Sequence, residues 1–209
     1  VAIASHKGRK IAFISRHGKR HEIAPHKVNY RANIAALGQL GVGKLIGTYA
    51  SGIVNTRIKP GELVLVSDFA GLALGPVTFF DEFGKGVKHT DMSSPYDKGL
   101  LGALKKAAKK ERVQLKEGGV VATMPGPRFE SKFEVRAWKK LGADLLSMTN
   151  AYETILAREL GMEYAAIAIA TNYAAGISKS PLTFEEVSEI AEKREADIRK
   201  LVLAAAEIV

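Results

Sequence analysis

The chain has 209 residues, of which 46% are hydrophobic and 25% charged, enough for one α/β domain with a single large core. It contains no cysteine, which excludes disulfides, thiolate metal sites and cysteine nucleophiles. No apolar run reaches the roughly 18 residues that span a bilayer, and no secretory signal sequence opens the chain. We therefore expect a cytoplasmic protein that has no membrane partner.

The formal net charge of +9 raises the question of nucleic-acid binding. The densest basic run covers residues 105–112, where apolar residues repeat on one helical face and leave the lysines on the solvated face. No aromatic residues alternate with these charges, as a single-strand binder would require. The sequence therefore favours a solvated helix and no nucleic-acid partner, with a non-catalytic nucleoside- or nucleic-acid-binding protein as the alternative.

Hydrophobic periodicity and turn residues predict strands that alternate with helices. The chain opens with a β-hairpin turning at Gly8, and it closes with a long helix for which Thr183 is a suitable N-cap. The predicted strands cover residues 1–4, 9–14, 44–52, 58–68 (including a turn), 119–124, 143–150 and 164–172. The predicted helices cover residues 30–37, 98–110, 130–141, 152–160 and 183–209. Together they indicate one α/β domain.

Residues 69–96 interrupt this alternation with many Gly, Pro, Thr and Ser residues. The segment also contains Phe79, Phe80, Phe83 and His89. Disordered segments are poor in aromatic residues, and long loops in compact domains are usually lids or interface elements. We expect this loop to be a lid or an interface element.

Residues 126–131 join a predicted strand to a predicted helix through a turn that contains glycine and proline. Such corners are where α/β proteins bind ligands. Phe129 offers an aromatic face and Glu130 a directional hydrogen-bonding carboxylate, a pair that suits a heterocyclic base. The alternative for Glu130 is a first-turn carboxylate stabilised by the helix dipole.

Polar or small residues also follow other predicted strands. Arg16 and His17 follow the hairpin, where the arginine fork suits an anion, although a surface loop would look the same. Small residues around Ala50 either expose backbone N–H groups to an anion or simply permit tight packing. Thr149 and Asn172 end two further strands. If these ends meet at one edge of the sheet, they form one pocket for an anion and a neutral polar heterocycle.

Three histidines, His17, His21 and His26, lie within ten residues of one another, a density that raises the question of a metal site. No carboxylate cluster completes a ligand set, and Gly18 and Pro25 interrupt the segment. We expect no metal site.

Four segments in the right order resemble the trimeric purine nucleoside phosphorylase and methylthioadenosine phosphorylase family: residues 13–18, 29–34, 126–130 and 148–149. The resemblance covers nearly the whole chain. It implies a single α/β domain, residues 1–209, whose mixed central sheet has barrel-like curvature and is flanked by helices. It further implies phosphorolysis of a purine nucleoside to base and ribose 1-phosphate in purine salvage. Phosphate would be a co-substrate and no cofactor would be needed.

The same resemblance implies roles for individual residues. Phosphate would be held by Arg16, His17, the backbone of Ala50 and the hydroxyl of Thr149. Asn172 would donate a hydrogen bond to purine N7, and with Arg16 and His17 it would form the catalytic group. Fixed groups aimed at developing charge are the strongest catalytic device.

Phe129 would pack against the base and Met148 would lie under the ribose. His89 would reach the 5′ end of the sugar in a neighbouring subunit, which implies a homotrimer or a dimer of trimers. The resemblance leaves open whether the 5′ group is hydroxyl or methylthio, so methylthioinosine and methylthioadenosine are alternative substrates.

Glu130, Asn172 and Ala174 match positions where the family separates 6-oxopurines from 6-aminopurines. Members acting on 6-aminopurines tend to carry a small residue at the position of Glu130 and an Asp at the positions of Asn172 and Ala174. Members acting on 6-oxopurines carry Glu and Asn at the positions of Glu130 and Asn172. Guanine and hypoxanthine present N1–H and O6, which suit a carboxylate acceptor and an amide donor. The resemblance therefore predicts inosine and guanosine as substrates.

The family normally begins with a strand, a Gly-rich loop bearing a phosphate-binding Ser or Thr, and a short helix. This chain starts at the hairpin instead. In these 209 residues we therefore expect the phosphate site to lack the side that the Gly-rich loop would form.

Overall fold

The computed structural model describes residues 1–82, 84 and 86–209, so Phe83 lies outside the described residues. Within them, strands and helices alternate as predicted. The strands are β1 (Ala2–His6), β2 (Arg9–Phe13), β3 (Lys44–Ile53), β4 (Leu63–Ala70), β5 (Leu115–Thr123), β6 (Leu145–Ser147) and β7 (Glu163–Tyr173). The helices are α1 (Tyr30–Gln39), α2 (Lys98–Glu111), α3 (Lys132–Lys140), α4 (Asn150–Glu159) and α5 (Phe184–Ile208), with a 3₁₀ turn at Pro25–Lys27.

The central sheet closes into a barrel in the order β3-β6-β5-β4-β7, while β1 and β2 form a separate hairpin. Strands β3 and β7 are parallel to each other, and β4, β5 and β6 are parallel to one another. The two groups meet antiparallel at β3–β6 and at β4–β7. The mixed, barrel-like sheet flanked by helices that the resemblance implied is therefore confirmed.

Strand β7 contributes to two hydrophobic clusters, one on each face of the sheet, because successive side chains of a strand point to opposite sides. Its even-numbered residues from Tyr164 to Ala170 pack with Tyr49 and Leu156. Its odd-numbered residues from 165 to 169 pack with Leu104 of α2 and Leu201 of α5. Burying a leucine side chain contributes about 1.5–3 kcal/mol, so the strand fastens the helical layer to the barrel.

Helix α5 begins where the sequence predicted, because the Thr183 side chain accepts a hydrogen bond from the Glu186 amide as N-cap. Several other predicted boundaries shifted by a few residues, and two of these shifts have a clear local cause. The strand predicted at 143–150 is only Leu145–Ser147, since the Ser147 hydroxyl accepts from the amides of Thr149 and Asn150 and turns the chain into α4. The helix predicted from residue 130 begins at Lys132.

The described residues between β4 and α2 form no helix or strand, yet contacts hold the segment to the barrel. The Glu159 carboxylate accepts from the Thr78 hydroxyl at 2.7 Å and from the Phe79 amide at 2.5 Å. Val77 and Phe79 pack against the core. Its predicted role as a lid or interface element stays a prediction. In the part of the chain that the structure describes, no helix is long and apolar enough to cross a membrane.

Candidate active site

Arg16 lies in the loop after β2 and points its guanidinium into the protein interior. Its Nε and Nη2 donate to the two carboxylate oxygens of Glu153 at 2.5 and 3.0 Å, and its Nη1 donates to the Thr48 carbonyl at 2.9 Å. The guanidinium also lies 4.6 Å from the centre of the Tyr49 ring, a cation–π contact. Burial alone would lower the pKa of Arg16, but the Glu153 carboxylate reverses this and raises it. The arginine is therefore charged and fixed beside β3.

His17 is oriented by its neighbours in the same loop. Its Nδ1 lies 2.8 Å from the Ile23 carbonyl oxygen, and because a carbonyl only accepts, Nδ1 carries the proton. Its ring stacks on His21 at 4.5 Å between centroids. Burial, together with the neighbouring His21 and Arg16, lowers the pKa of His17. In the neutral ring Nε2 is therefore an acceptor. Among the described residues, no group of three or more His, Asp or Glu side chains is placed to hold a metal ion.

Thr149 is the N-cap residue of α4, but its side chain makes no capping bond. The first amides of the helix are satisfied by other hydroxyls: Ser147 accepts from Thr149 and Asn150, and Thr123 accepts from Ala151 at 3.1 Å. The Thr149 hydroxyl is thus not consumed by the helix end. Arg16 contacts the same helix one turn later, through Glu153. Arg16 and Thr149, two of the predicted phosphate residues, therefore lie at this end of α4.

The ends of β3 and β7 lie side by side. Ala50 is exposed and pairs with Ile169, and Gly52 pairs with Asn172. The Thr171 hydroxyl lies 2.8 Å from Asn172 Oδ1 and 3.3 Å from the Ser51 carbonyl. Because the shorter bond is to Oδ1, this hydroxyl donates to the Asn172 amide and orients it. Within the described part of the chain, the bond from Asn172 Nδ2 is a long one of 3.3 Å to the Tyr173 carbonyl, so the amide presents a donor.

The Gly126–Pro127 peptide is cis, and Gly126 has φ +65°. A Cβ at Gly126 would lie 2.5 Å from Met148 Sδ, far inside contact distance. The corner and Met148 are therefore in direct contact. Phe129, half-buried, follows in the same corner.

Glu130 lies just outside α3, and this corrects one expectation. Ser131 is the N-cap, and it forms a capping box with Glu134. The alternative in which Glu130 is a first-turn carboxylate is wrong, because Glu134 fills that role. Glu130 is only 8% exposed, and burial raises the pKa of its carboxyl group. Its carboxylate accepts from its own amide, and nothing in helix capping accounts for it.

Ala174 packs in an apolar cluster with Met124, Val135 and Trp138, which joins the end of β7 to α3. The turn that follows Ala174 also lies against the start of α3, since a Cβ at Gly176 would lie 3.0 Å from Lys132 Cγ. Glu130 precedes Lys132 by two residues, so the structure brings Glu130, Ala174 and Asn172 onto neighbouring segments. The segment after β7 therefore lies against the start of α3, and the shared role of these residues in binding a base stays a prediction.

One expectation about assembly of the pocket differs from the structure. The strand ends do not meet as carboxyl ends of one parallel sheet, because β3 and β7 run opposite to β5 and β6. They meet instead because Gly52, near the end of the ten-residue strand β3, pairs with both Leu146 and Asn172. His89 is exposed in the segment between β4 and α2.

Sequence reasoning missed Glu153, Tyr49 and Thr171. Glu153 is 5% exposed, and its position four residues after Thr149, on a helix face shared with Leu156 and Ala157, was the available signal. An open groove lined by Arg112, Lys116 and Arg194 lies elsewhere, and none of the predicted site residues lines it.

The model of the Phosphorylase superfamily matches residues 2–207. The chain belongs to the phosphorylase superfamily. This phosphorylase is 44% identical to the 6-oxopurine nucleoside phosphorylase of Pyrococcus furiosus over 206 residues, 96% of this chain and 78% of that protein. It is 43% identical to the probable S-methyl-5′-thioinosine phosphorylase of Methanopyrus kandleri over 186 residues, 88% of this chain and 72% of that protein.

The solved structure of methylthioadenosine phosphorylase from Schistosoma mansoni in complex with adenine superposes on this phosphorylase with a TM-score of 0.91. The two are 29% identical over 97% of this chain and 78% of that chain. The resemblance read from the sequence, and the fold it implied, are confirmed. The roles of the individual site residues stay predictions.

Proposed function

We propose that this phosphorylase cleaves 6-oxopurine nucleosides, inosine and guanosine, with phosphate to give free base and ribose 1-phosphate. The observation that carries the proposal is the buried Glu130 carboxylate, which lies outside α3. The name of the Pyrococcus furiosus relative, a 6-oxopurine nucleoside phosphorylase, supports the same activity.

Base recognition follows from donor and acceptor chemistry. A 6-oxopurine offers N1–H to the Glu130 carboxylate and O6 and N7 to the Asn172 amide donor, while Phe129 packs on the ring. Adenine has no proton on N1, so it would leave the buried carboxylate facing a lone pair. A mismatch that leaves a buried polar group unpaired discriminates strongly.

Phosphate binds, in this proposal, between the loop after β2 and the start of α4. The Arg16 guanidinium, the Thr149 hydroxyl and the backbone at Ala50 donate to phosphate oxygens, while His17 Nε2 accepts from the hydroxyl of the monoprotonated phosphate. Breaking the glycosidic bond develops positive charge on the ribose and negative charge on the purine. The phosphate anion stabilises the first and Asn172 the second, and one such donor is worth roughly 3–4 kcal/mol.

The 5′ group of the nucleoside gives a second candidate. The relative from Methanopyrus kandleri is named for S-methyl-5′-thioinosine, which carries the same 6-oxopurine base as inosine. Met148 would lie under the ribose in either case. His89 is exposed, so its predicted contact with the 5′ end requires a neighbouring subunit, and we propose a trimer or a dimer of trimers.

A substrate panel tests the proposal: inosine, guanosine, adenosine, methylthioinosine and methylthioadenosine, each with and without phosphate. We expect phosphate-dependent release of hypoxanthine and guanine, with adenosine at least about 100-fold slower. Faster turnover of adenosine than of inosine would contradict the assignment of Glu130 and Asn172. Release of base without phosphate would contradict phosphorolysis.

A further inference from the structure

Glu153 is a buried carboxylate for which base recognition and cleavage provide no role. Its side chain is 7% exposed, and that of Arg16 is 19% exposed. The two are joined by a two-pronged ion pair between α4 and the loop after β2. Burying such a pair is costly unless its remaining hydrogen bonds are also satisfied, so its retention beside the anion-binding region calls for an explanation.

The hydrogen bonds of Arg16 to the described residues leave two of its N–H groups available. A guanidinium has five N–H groups. Nε and Nη2 each donate one to Glu153, and Nη1 donates one to the Thr48 carbonyl. Two N–H groups remain, one on Nη1 and one on Nη2. The Nη2 group of the two lies on the terminal edge, and charged N–H groups of this kind bind phosphate oxygens strongly.

Tyr49 fixes Glu153 in turn. Its hydroxyl donates to Glu153 Oε2 at 2.6 Å, and its ring lies under the Arg16 guanidinium. Its hydroxyl also contacts that of Tyr164, and the pair has room only because residue 47 is glycine, where a Cβ would collide with both hydroxyls. Carboxylate, phenol and small residue therefore form one preorganised support.

We propose that Glu153 is a positioning residue that holds Arg16 with its remaining N–H groups toward phosphate, and that Tyr49 secures Glu153 for this task. The proposal rests on the proposed phosphorolysis. It predicts that Glu153 affects the KM for phosphate specifically, whereas a purely structural role would affect folding and both substrates. It also opposes the simple electrostatic expectation, in which removing a nearby negative charge would tighten anion binding.

The test measures the KM for phosphate and the KM for inosine separately in Glu153→Gln, with circular dichroism and melting temperature as checks of folding. A glutamine side chain places an NH₂ group against a guanidinium N–H, so the two-pronged bond is lost. We expect the KM for phosphate to rise about 10-fold to 100-fold, as for a misplaced positioning group, and the KM for inosine to change by less than about 3-fold.

Glu163→Gln is the matched control, since Glu163 is an exposed carboxylate paired with Lys44; we expect its KM for phosphate to equal that of the wild type. Tyr49→Phe keeps the ring and removes the bond to Glu153. It should raise the KM for phosphate about 3-fold to 10-fold, more than Tyr164→Phe, and it serves as the test if Glu153→Gln does not fold.

An unchanged or lower KM for phosphate in folded Glu153→Gln, or in Tyr49→Phe, would overturn the positioning role. So would equal increases in the KM of both substrates. These outcomes are distinct from a failure of the proposed function, in which the wild-type protein itself would show no phosphate-dependent cleavage of any nucleoside in the panel.

Discussion

Ser131 and Glu134 exchange two hydrogen bonds that begin α3, with the Glu134 carboxylate accepting from the Ser131 amide at 2.7 Å and the Ser131 hydroxyl accepting from the Glu134 amide at 3.2 Å. The helix start is complete without Glu130. That carboxylate is consequently free of a structural task in α3.

Replacing Glu130 should therefore affect catalysis more than folding. We expect Glu130→Ser to lower kcat/KM for inosine about 100-fold or more, because the buried acceptor for N1–H is lost. The melting temperature should not fall, because α3 is capped without Glu130. Steady-state kinetics and thermal denaturation measure the two quantities. A variant that turned over inosine normally but unfolded readily would show that Glu130 has only a structural role.

The burial of Glu130 also predicts that the stability of the folded protein depends on pH. Burial raises the pKa of Glu130 in the folded protein above its value of 4.5 in the unfolded chain. The folded state therefore binds the proton more tightly, and stability is lost as pH rises from 4.5 through the folded-state pKa. Glu130→Gln should thus gain stability over the wild type at pH 7 and lose that advantage near pH 4. Equal differences in melting temperature at both pH values would contradict this.

Asn172 is predicted to set the preference between purines. Asn172→Asp replaces the amide donor with an acceptor, so we expect kcat/KM for inosine to fall about 100-fold to 1000-fold, the effect of removing one transition-state donor. Adenosine should lose less, because its 6-amino group can donate to the new carboxylate. The ratio of the two kcat/KM values is the measurement. A parallel loss with both substrates would indicate that Asn172 acts only on N7.

Gly126 is required both for its backbone and for its contact with Met148. Gly126→Ala combines positive φ, which costs about 1–2 kcal/mol, with the collision at Met148 Sδ. Gly161→Ala is the matched control, because Gly161 has φ +71° and a Cβ there would meet nothing within 4 Å. We expect chemical denaturation to show a larger loss for Gly126→Ala and only this variant to raise the KM for inosine. Equal losses would mean that the Met148 contact is unimportant.

The sequence predicted those parts of the molecule that local patterns specify. The apolar run that became β7, the N-cap at Thr183 and the strand-to-helix corner at Phe129 were all recognisable from neighbours in the chain. The pair of Arg16 and Glu153 was not, because 137 residues separate them and only the closed barrel brings them together. The direction of β3 relative to β6 was hidden for the same reason.

The capping box at Ser131 shows a different kind of miss. Its residue spacing is visible in the sequence, and reading it would have placed Glu130 outside the helix. Thr171 could not be recognised from sequence alone, since its hydroxyl matters only through the rotamer of the neighbouring Asn172 amide.

Strand β7 also constrains how this chain can change over evolutionary time. Its alternate residues serve two separate cores, and its last residues carry Thr171 and Asn172. A conservative exchange at one position disturbs one core by a methyl group or two. A single insertion or deletion would exchange the two sets of side chains and turn the Asn172 amide to the opposite side of the sheet. The length of this strand should thus be inherited more strictly than its amino acids.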